Sequence, residues 1–469
     1  MASQRIISLL NWCKHHGIIL FNINIVDGST ESQEDTSGIS VFASSNLSHS
    51  DLGEPSDWLN TLVVNIDNSN FNQWLKSPNS IISRKTSRLL LDTPHSEASK
   101  DDVMELALVL AYELALGEQS AWAGYLQSLP REQVPVAALW DENEDKDSQY
   151  AWLWLQATET AREIHELSTG CTVSQTISDF YYQVANPTLN QAGHKTTLDD
   201  FRRAWSLVSS RSFRVDSYHG LAMVPIADAF NHIGENQVHI ETDFDVCPFA
   251  DRSNLVLMTK RRFKGAPISL KEKRSWRTLA ICYDTSLPNS TLLARYGFIL
   301  EGNEHDYVSW DTTHLPPSMQ GCTASLLEEL AGTWTEELLN ASSLVYDFRN
   351  PFGSSVHTDS TLYVQGPAHR VPRYRINSDG LVTIELWVTA AVCSVKATSD
   401  NDLGLISKSS LGRLATTQVA VENNEDSLPA AMVRSRMAVS QALSERATLI
   451  ACRDGWDDLI ASLEDTSLD

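Results

Sequence analysis

The sequence lacks most of the features that would place it in a structural class by composition alone. Its seven cysteines, Cys13, Cys171, Cys247, Cys282, Cys322, Cys393 and Cys452, include no C-x-x-C pair. That excludes a zinc-ribbon spacing and a secreted disulfide framework, and points to a reducing compartment. No apolar run reaches the roughly 20 residues that span a bilayer. The most apolar, Val103 to Leu116, is interrupted by Glu105 and Glu113. The N-terminus, Met-Ala-Ser-Gln-Arg, enters a polar segment with Asn11, Lys14, His15 and His16 and has no signal-peptide h-region. There is no repeat at solenoid spacing. A soluble, intracellular protein is the expectation.

Positive charge is also scarce. Lys and Arg number 36 against 60 Asp and Glu, a formal charge of −24. This argues against holding nucleic acid by general electrostatics. It suits a protein that meets basic partners, although solubility alone would give the same balance. One local exception, Lys260, Arg261, Arg262, Lys264, Lys271, Lys273, Arg274 and Arg277, reads either as a nuclear-import or nucleic-acid patch or as a solvated loop. Apolar residues make up 42% of 469, enough for two or three domains at about 100–200 residues each.

Along the chain, Gly17–Leu20 and Gly38–Ala43 have β-type composition and are separated by a polar loop. Residues 48–76 are Ser/Asn/Asp-rich and read as an insertion or long loop. Asp101-Asp102 can start a helix, because carboxylates are favoured at its positive end, and Val103–Leu116 is apolar nearly all round, so this helix should be buried. Gly117 closes it. Helical patterns follow at Ser120–Leu129, Tyr150–Leu167 and Thr197–Ser209, then later at Cys322–Ala341, Thr383–Val395 and Leu428–Ala451. Residues 350–380 and 396–427 read as irregular.

The stretch that carries chemistry runs from Leu221 to Phe298. An apolar strand, Leu-Ala-Met-Val-Pro-Ile-Ala-Asp-Ala-Phe, ends in Asn231-His232. Two polar side chains where a strand leaves the core suit a polar ligand; equally they can be a capping Asn and a hydrogen-bonded core His. Tyr283 and Tyr296 bracket a turn-forming Pro288-Asn289 step, a short helix and a Tyr296-Gly297-Phe298 exit. Aromatic residues alone are more often core than catalyst; the combination is more specific than its parts.

This combination resembles the SET-domain protein methyltransferases of the Rubisco large subunit methyltransferase type, with their Ala-Asp-x-x-Asn-His strand, following Tyr, Asn-x-x-Leu-Leu helix and Tyr-Gly-Phe. Gly38–Ala43 resembles the family's cofactor loop, Ser77–Ser83 its Ile-Pro segment, Ser210-Arg211-Ser212-Phe213 its Ser-Arg-x-Phe motif, Asn303–Val308 its post-SET Asn-x-x-Asp segment, and Arg375–Leu381 its C-terminal domain. The branch most resembled is that of SET domain-containing protein six and the fungal ribosomal lysine N-methyltransferases.

The resemblance implies an α+β fold, a β-rich SET domain split by a helical insert and followed by a mainly helical C-terminal substrate-binding domain. Its parts would be residues 1–87 (with an insertion about 48–76), the insert 88–205, the second SET part 206–312 (with an insertion about 267–279), and 313–469. It implies an S-adenosyl-L-methionine-dependent protein-lysine N-methyltransferase acting on a basic protein such as a ribosomal protein, in the nucleus with the cytoplasm as second compartment. Metal, membrane and direct nucleic-acid binding are not expected.

Carried over residue by residue, Ile39 and Val41 beside Gly38 would offer backbone groups to the cofactor and Arg211 would reach its carboxylate. Asn231 and His232 would hold its amino group and adenine. Tyr283 would sit at the methyl-transfer channel, which Tyr296 and Phe298 would complete together with the adenine pocket. Two features depart from the pattern: Ser40 stands at the loop's second glycine, and residues 267–279 lengthen the approach to Tyr283. They motivate the alternative of a catalytically inactive SET-like binding module. A histidine acceptor, as in a sister branch, is the other.

Overall fold

The computed structural model describes residues 4–16, 18–20, 23–27, 39–43, 61–67, 102–140, 145–156, 158–166, 171–214, 221–232, 238–244, 253–259, 280–281, 287–310, 345–346, 374–383 and 432–466. The chain opens on a helix the sequence reading treated as a polar segment, α1 (Gln4–His15). It buries Ile6, Leu9, Trp12 and Cys13 on one side, the spacing of a 3.6-residue period that the polar residues between them mask. Short strands follow: β1 (Ile18–Leu20), β2 (Ile23–Asp27) and β3 (Ile39–Ala43). β2 and β3 pair antiparallel, with Ile25 opposite Val41 and Asp27 opposite Ile39.

The loop reading of 48–76 fails at its centre, where β4 (Thr61–Asp67) pairs with β1. The Thr-Leu-Val-Val-Asn-Ile-Asp run carries β-branched residues suited to a pleated strand, a local signal diluted by the Ser/Asn-rich flanks.

The helical block follows expectation in part. α2 (Asp102–Leu116) is buried on nearly every side and ends where the sequence reading placed its stop. Inside it, Glu113 is held by Ser120 Oγ at 2.6 Å, and burial pushes its carboxyl above the usual range. The segment 120–129 contracts to one turn, α3 (Ala123–Leu126). The single helix expected over 150–167 is two, α4 (Lys146–Leu155) and α5 (Glu159–Glu166). The chain turns between them because Thr158 ties its own Oγ1 back to Leu155 O at 2.8 Å. Unanticipated are α6 (Val173–Phe180), a π turn at Tyr181–Ala185 and α7 (Asn186–Gln191). α8 (Leu198–Arg211) starts at Thr197 with a capping box in which Asp200 and Thr197 satisfy each other's amides, worth about 1 kcal/mol.

The apolar run 221–232 is not one strand. β5 (Ser212–Arg214) pairs with β6 (Leu221–Met223); the chain then turns through a 3₁₀ turn at Ala227–Ala229 before β7 (Asn231–His232). Pro225 interrupts the strand, since it has no amide to donate, and Ile226 takes φ +72°.

β8 (Val238–Phe244), β9 (Ser253–Thr259) and β10 (Ala280–Ile281) complete a six-stranded sheet in the order β1-β4-β9-β8-β10-β7. β10 runs parallel to both β7 and β8.

A second sheet of four strands, β11 (Tyr307–Trp310), β12 (Val345–Tyr346), β13 (Tyr374–Asn377) and β14 (Val382–Thr383), is ordered β11-β13-β14-β12. It corrects the expectation at one point. Thr383 belongs to a strand rather than starting a helix, because Asn377–Gly380 forms the turn of a β13–β14 pair, with Asn377 Oδ1 accepting from the amides of Asp379 and Leu381. β11 pairs antiparallel with β13. The expected helix over Leu428–Ala451 is α9 (Val433–Thr466), longer at its C-terminal end. The expected helix over 322–341, residues 384–395 and the 267–279 insertion lie outside the described residues.

One large core joins α1, β3, α2, α3, α6, α8 and the 221–230 segment. A second lies where α9 meets α4, α5 and Leu293-Ala294. Asp147 caps α9 from α4, accepting from the amides of Arg434 (3.0 Å) and Ser435 (2.9 Å) and from Ser435 Oγ (2.6 Å). α9 is thus anchored to α4. No helix among the described residues is long and apolar enough to cross a membrane.

Candidate cofactor site

Arg211 ends α8, and the β5–β6 pair then carries the chain back to the turn that bears Asp228. Arg211 Nη1 donates to the main-chain carbonyl of Asp228 at 2.7 Å and lies 3.9 Å from its Oδ2. Oδ2 also accepts from the Tyr125 hydroxyl of α3 at 2.8 Å. Asp228 is almost wholly buried. Burial pushes its carboxyl up to about 6, opposed by Arg211, by the Tyr125 hydroxyl and by the amides of Asp228 and Ile226. None of these makes a well-formed hydrogen bond to Oδ1. Tyr125 is pushed well above the usual phenol range, by burial and then by the Asp228 charge, so it stays a donor.

β3 packs against the same turn. Ile39 and Val41 both bury their side chains in the large core, which leaves their main chain as the group available to a ligand. Ser40 sits in ordinary extended backbone opposite Val26; Ile226 is the one non-glycine residue at positive φ among the described residues. Serine at this position therefore causes no backbone strain. Gly38 lies outside the described residues.

The main chain of Asn231 and His232 forms β7, in register with Ala280 and Ile281 of β10. Despite the 267–279 segment between them in sequence, the Asn-His pair and the strand leading to Tyr283 run side by side. The side chains of Asn231 and His232, and all of Tyr283, lie outside what is described.

Tyr296 and Phe298 meet edge to face at 6.3 Å, Tyr296 buried with Leu287 and Leu292 and Phe298 partly open. Gly297 between them has φ +77°, and a Cβ there would come within 2.9 Å of the Pro135 carbonyl carbon; only glycine allows the Pro135–Val136 main chain to approach so closely. Ser209 Oγ donates to Arg295 O at 2.9 Å, and Arg295 pairs with Glu163 at 3.2 Å. These contacts tie the Tyr-Gly-Phe exit to the helix that ends in Arg211.

The motif residues Asn289 and Asp306 prove structural. Asn289, fully buried, donates from its amide and its Nδ2 to the two Asp306 oxygens at 2.5 and 2.7 Å. It also exchanges hydrogen bonds with the main chain of Leu300. Ser444 of α9 adds a further donor to Asp306.

Sequence reasoning quoted Asp228 within its motif but gave it no role, and it missed Tyr125. Nothing local marks a tyrosine 103 positions from its partner.

No protein-family model and no curated protein sequence matches the chain. Solved structures do. The SET domain of LSMT bound to lysine and AdoHcy superposes with a TM-score of 0.54 at 14% identity, covering 98% of this chain and 92% of that one. This chain has an LSMT-like SET fold. Rubisco LSMT bound to AdoMet gives 0.52 at 16% identity over 98% and 93% of the two chains. Rubisco LSMT bound to sinefungin and monomethyllysine gives 0.51 at 16% over 100% and 93%. The match spans nearly the whole of both chains.

Proposed function

We propose that the chain is an S-adenosyl-L-methionine-dependent protein-lysine N-methyltransferase whose acceptor is a lysine of a basic protein, a ribosomal protein being the first candidate. The observation that carries the reading is Arg211, a part-buried cation fixed on Asp228, in the turn that leads into the Asn-His strand, within an LSMT-like fold. The residues present suit the cofactor. A guanidinium can meet its carboxylate in a charge-assisted bond, main-chain groups of Ile39 and Val41 and of Asn231 and His232 can meet its ammonium and adenine, and the open edge of Phe298 can face a ring. Bound there, the cofactor would supply an electrophilic methyl group.

The chain's own task is then positioning and drying. The acceptor amine must be neutral to attack, and an aromatic channel completed by Tyr283 and Tyr296 favours that form by excluding water. Tyr283 is assigned to orient the amine lone pair, and no metal is needed. In this reading a β-rich SET core split by the helical insert carries the cofactor, the C-terminal part binds the acceptor, and the branch is that of SET domain-containing protein six and the fungal ribosomal lysine N-methyltransferases. The protein would work where ribosomal proteins are assembled, in the nucleus and cytoplasm.

The test is incubation of purified protein with labelled cofactor and a ribosomal extract. One labelled polypeptide is expected, with modified lysine by mass spectrometry and the label lost in Tyr283→Phe. Modified histidine would replace the acceptor in the proposal. Cofactor binding without transfer to any protein would favour a catalytically inactive binding module, the reading that the 267–279 segment before Tyr283 motivates.

A further inference from the structure

We infer that Tyr125, in the helical insert, is a positioning residue for the cofactor site, acting through Asp228 to fix the Arg211 guanidinium. The inference rests on the methyltransferase reading and adds to it a residue far from the recognised motifs.

The geometry is a relay of three side chains. The Tyr125 hydroxyl donates to Asp228 Oδ2 (2.8 Å), and Asp228 holds Arg211 through its main-chain oxygen (2.7 Å) and its carboxylate (3.9 Å). Each end is rigid. Tyr125 stacks on Trp12 of α1 at 6.1 Å, Trp12 Nε1 donates to Ala121 O at 2.8 Å, and Gly124 leaves no room for a Cβ against Trp12. The Asp228 turn is closed by bonds from the amides of Asp228, Ala229 and Phe230 to Val224, Ile226 and Ala227. It accommodates a fully buried isoleucine at φ +72°, a conformation that persists only where the surroundings over-determine it.

The chemistry follows from burial. A carboxylate this enclosed stays ionised near neutrality only while donors and a cation support it. Among the described residues, the titratable and charged groups that face it are Tyr125 from α3, Arg211 from α8 and Cys13 from α1, whose thiol burial pushes up to about 12 and so keeps neutral. Beyond them, Arg5 of α1 is paired with Asp27 of β2 at 3.4 Å and also acts on Arg211 by repulsion between like charges. Removing the phenol hydroxyl takes away one of the two side-chain supports. The carboxyl then protonates at higher pH, and Arg211 loses the charge that orients it.

The experiment is calorimetric titration with S-adenosylhomocysteine from pH 5 to 8.5, for the wild type, Tyr125→Phe and Asp228→Asn, each with its melting temperature. The wild type should lose affinity below about pH 6. In Tyr125→Phe the loss should move up by about one pH unit, giving about threefold weaker binding near pH 6.5, approaching tenfold toward pH 5, and an affinity nearly that of the wild type at pH 8.5. Asp228→Asn should be weaker throughout and without this pH dependence. A folded Tyr125→Phe with the wild-type pH profile overturns the inference. Should that variant not fold, persistence of the acid-side loss in Asp228→Asn overturns it instead, and its disappearance supports it. A wild type that binds no S-adenosylhomocysteine at any pH would overturn the methyltransferase reading, and this inference with it.

Discussion

Replacing Glu445 with Gln should stabilise the protein at neutral and alkaline pH and leave it nearly unchanged near pH 4.5. Glu445 lies in the buried half of α9, where its Oε1 accepts from the amide of Glu159 (2.8 Å) and from Gln441 Nε2 (2.7 Å). Burial pushes its carboxyl well above the usual range, and the neighbouring Glu159 and Asp306 add to the rise. Glu159 has its own support, from Arg162 Nη1 and from the amide and hydroxyl of Ser309.

The folded state therefore holds a proton on Glu445 that the unfolded chain releases above the ordinary glutamate range. A carboxyl with a raised folded pKa contributes stability that is complete at low pH and is lost as pH climbs toward that folded value. The linkage slope for one such proton is about 1.4 kcal/mol per pH unit. Asp306 and Asp228, both pushed up to about 6 by burial, and Glu113, which burial also raises, add to the wild-type slope, so the difference between the two proteins reports Glu445. Glutamine keeps the Oε1 acceptor and cannot ionise. Urea unfolding at pH 6, 7 and 8 should show the wild type losing stability with pH and Glu445→Gln losing less, by up to that slope. Parallel pH curves for the two proteins would refute the reasoning.

Three further outcomes are expected. Asp306→Ala should cost about 2–4 kcal/mol by calorimetry, because it leaves the buried Asn289 amide, and one of the two Nδ2 hydrogens, without an acceptor; Asp306→Asn should cost less. Gly297→Ala should cost about 3 kcal/mol in urea, from the positive φ and the overlap with Pro135, and should weaken any adenine-like ligand. Asp147→Ala should lower stability by about 1–2 kcal/mol and speed proteolytic cleavage near Val433, since it removes the cap of α9.

What could be read from sequence was what is local. α2 declares itself by an apolar run that starts at Asp101-Asp102 and closes at Gly117, and α8 by its helical pattern from Thr197; both lie within a few residues of the expected ends. α1 is hidden because its polar end, Asn11, Lys14 and His15, followed by His16, draws the reading, although Ile6, Leu9 and Cys13 keep a helical period. β4 was missed because polar flanks hide a seven-residue strand. At the site, short motifs single out Arg211 and the Asn231-His232 pair, and the β7–β10 register sets the main chain of that pair against Ala280 and Ile281. The roles of Asn289 and Asp306 were hidden because a buried polar knot and a ligand site call for the same residue types; only the partners 17 positions apart tell them apart. Tyr125 had no local signal at all, its meaning lying wholly in a contact made by folding.

The most direct test of the central claim, a cofactor site built around Arg211, is titration of the purified chain with S-adenosyl-L-methionine beside Arg211→Ala. The account predicts one site per chain in the wild type and about 10- to 100-fold weaker binding in the variant, the loss of one charge-assisted contact. No binding by a folded wild type at millimolar cofactor, or equal affinity in the two proteins, would contradict it.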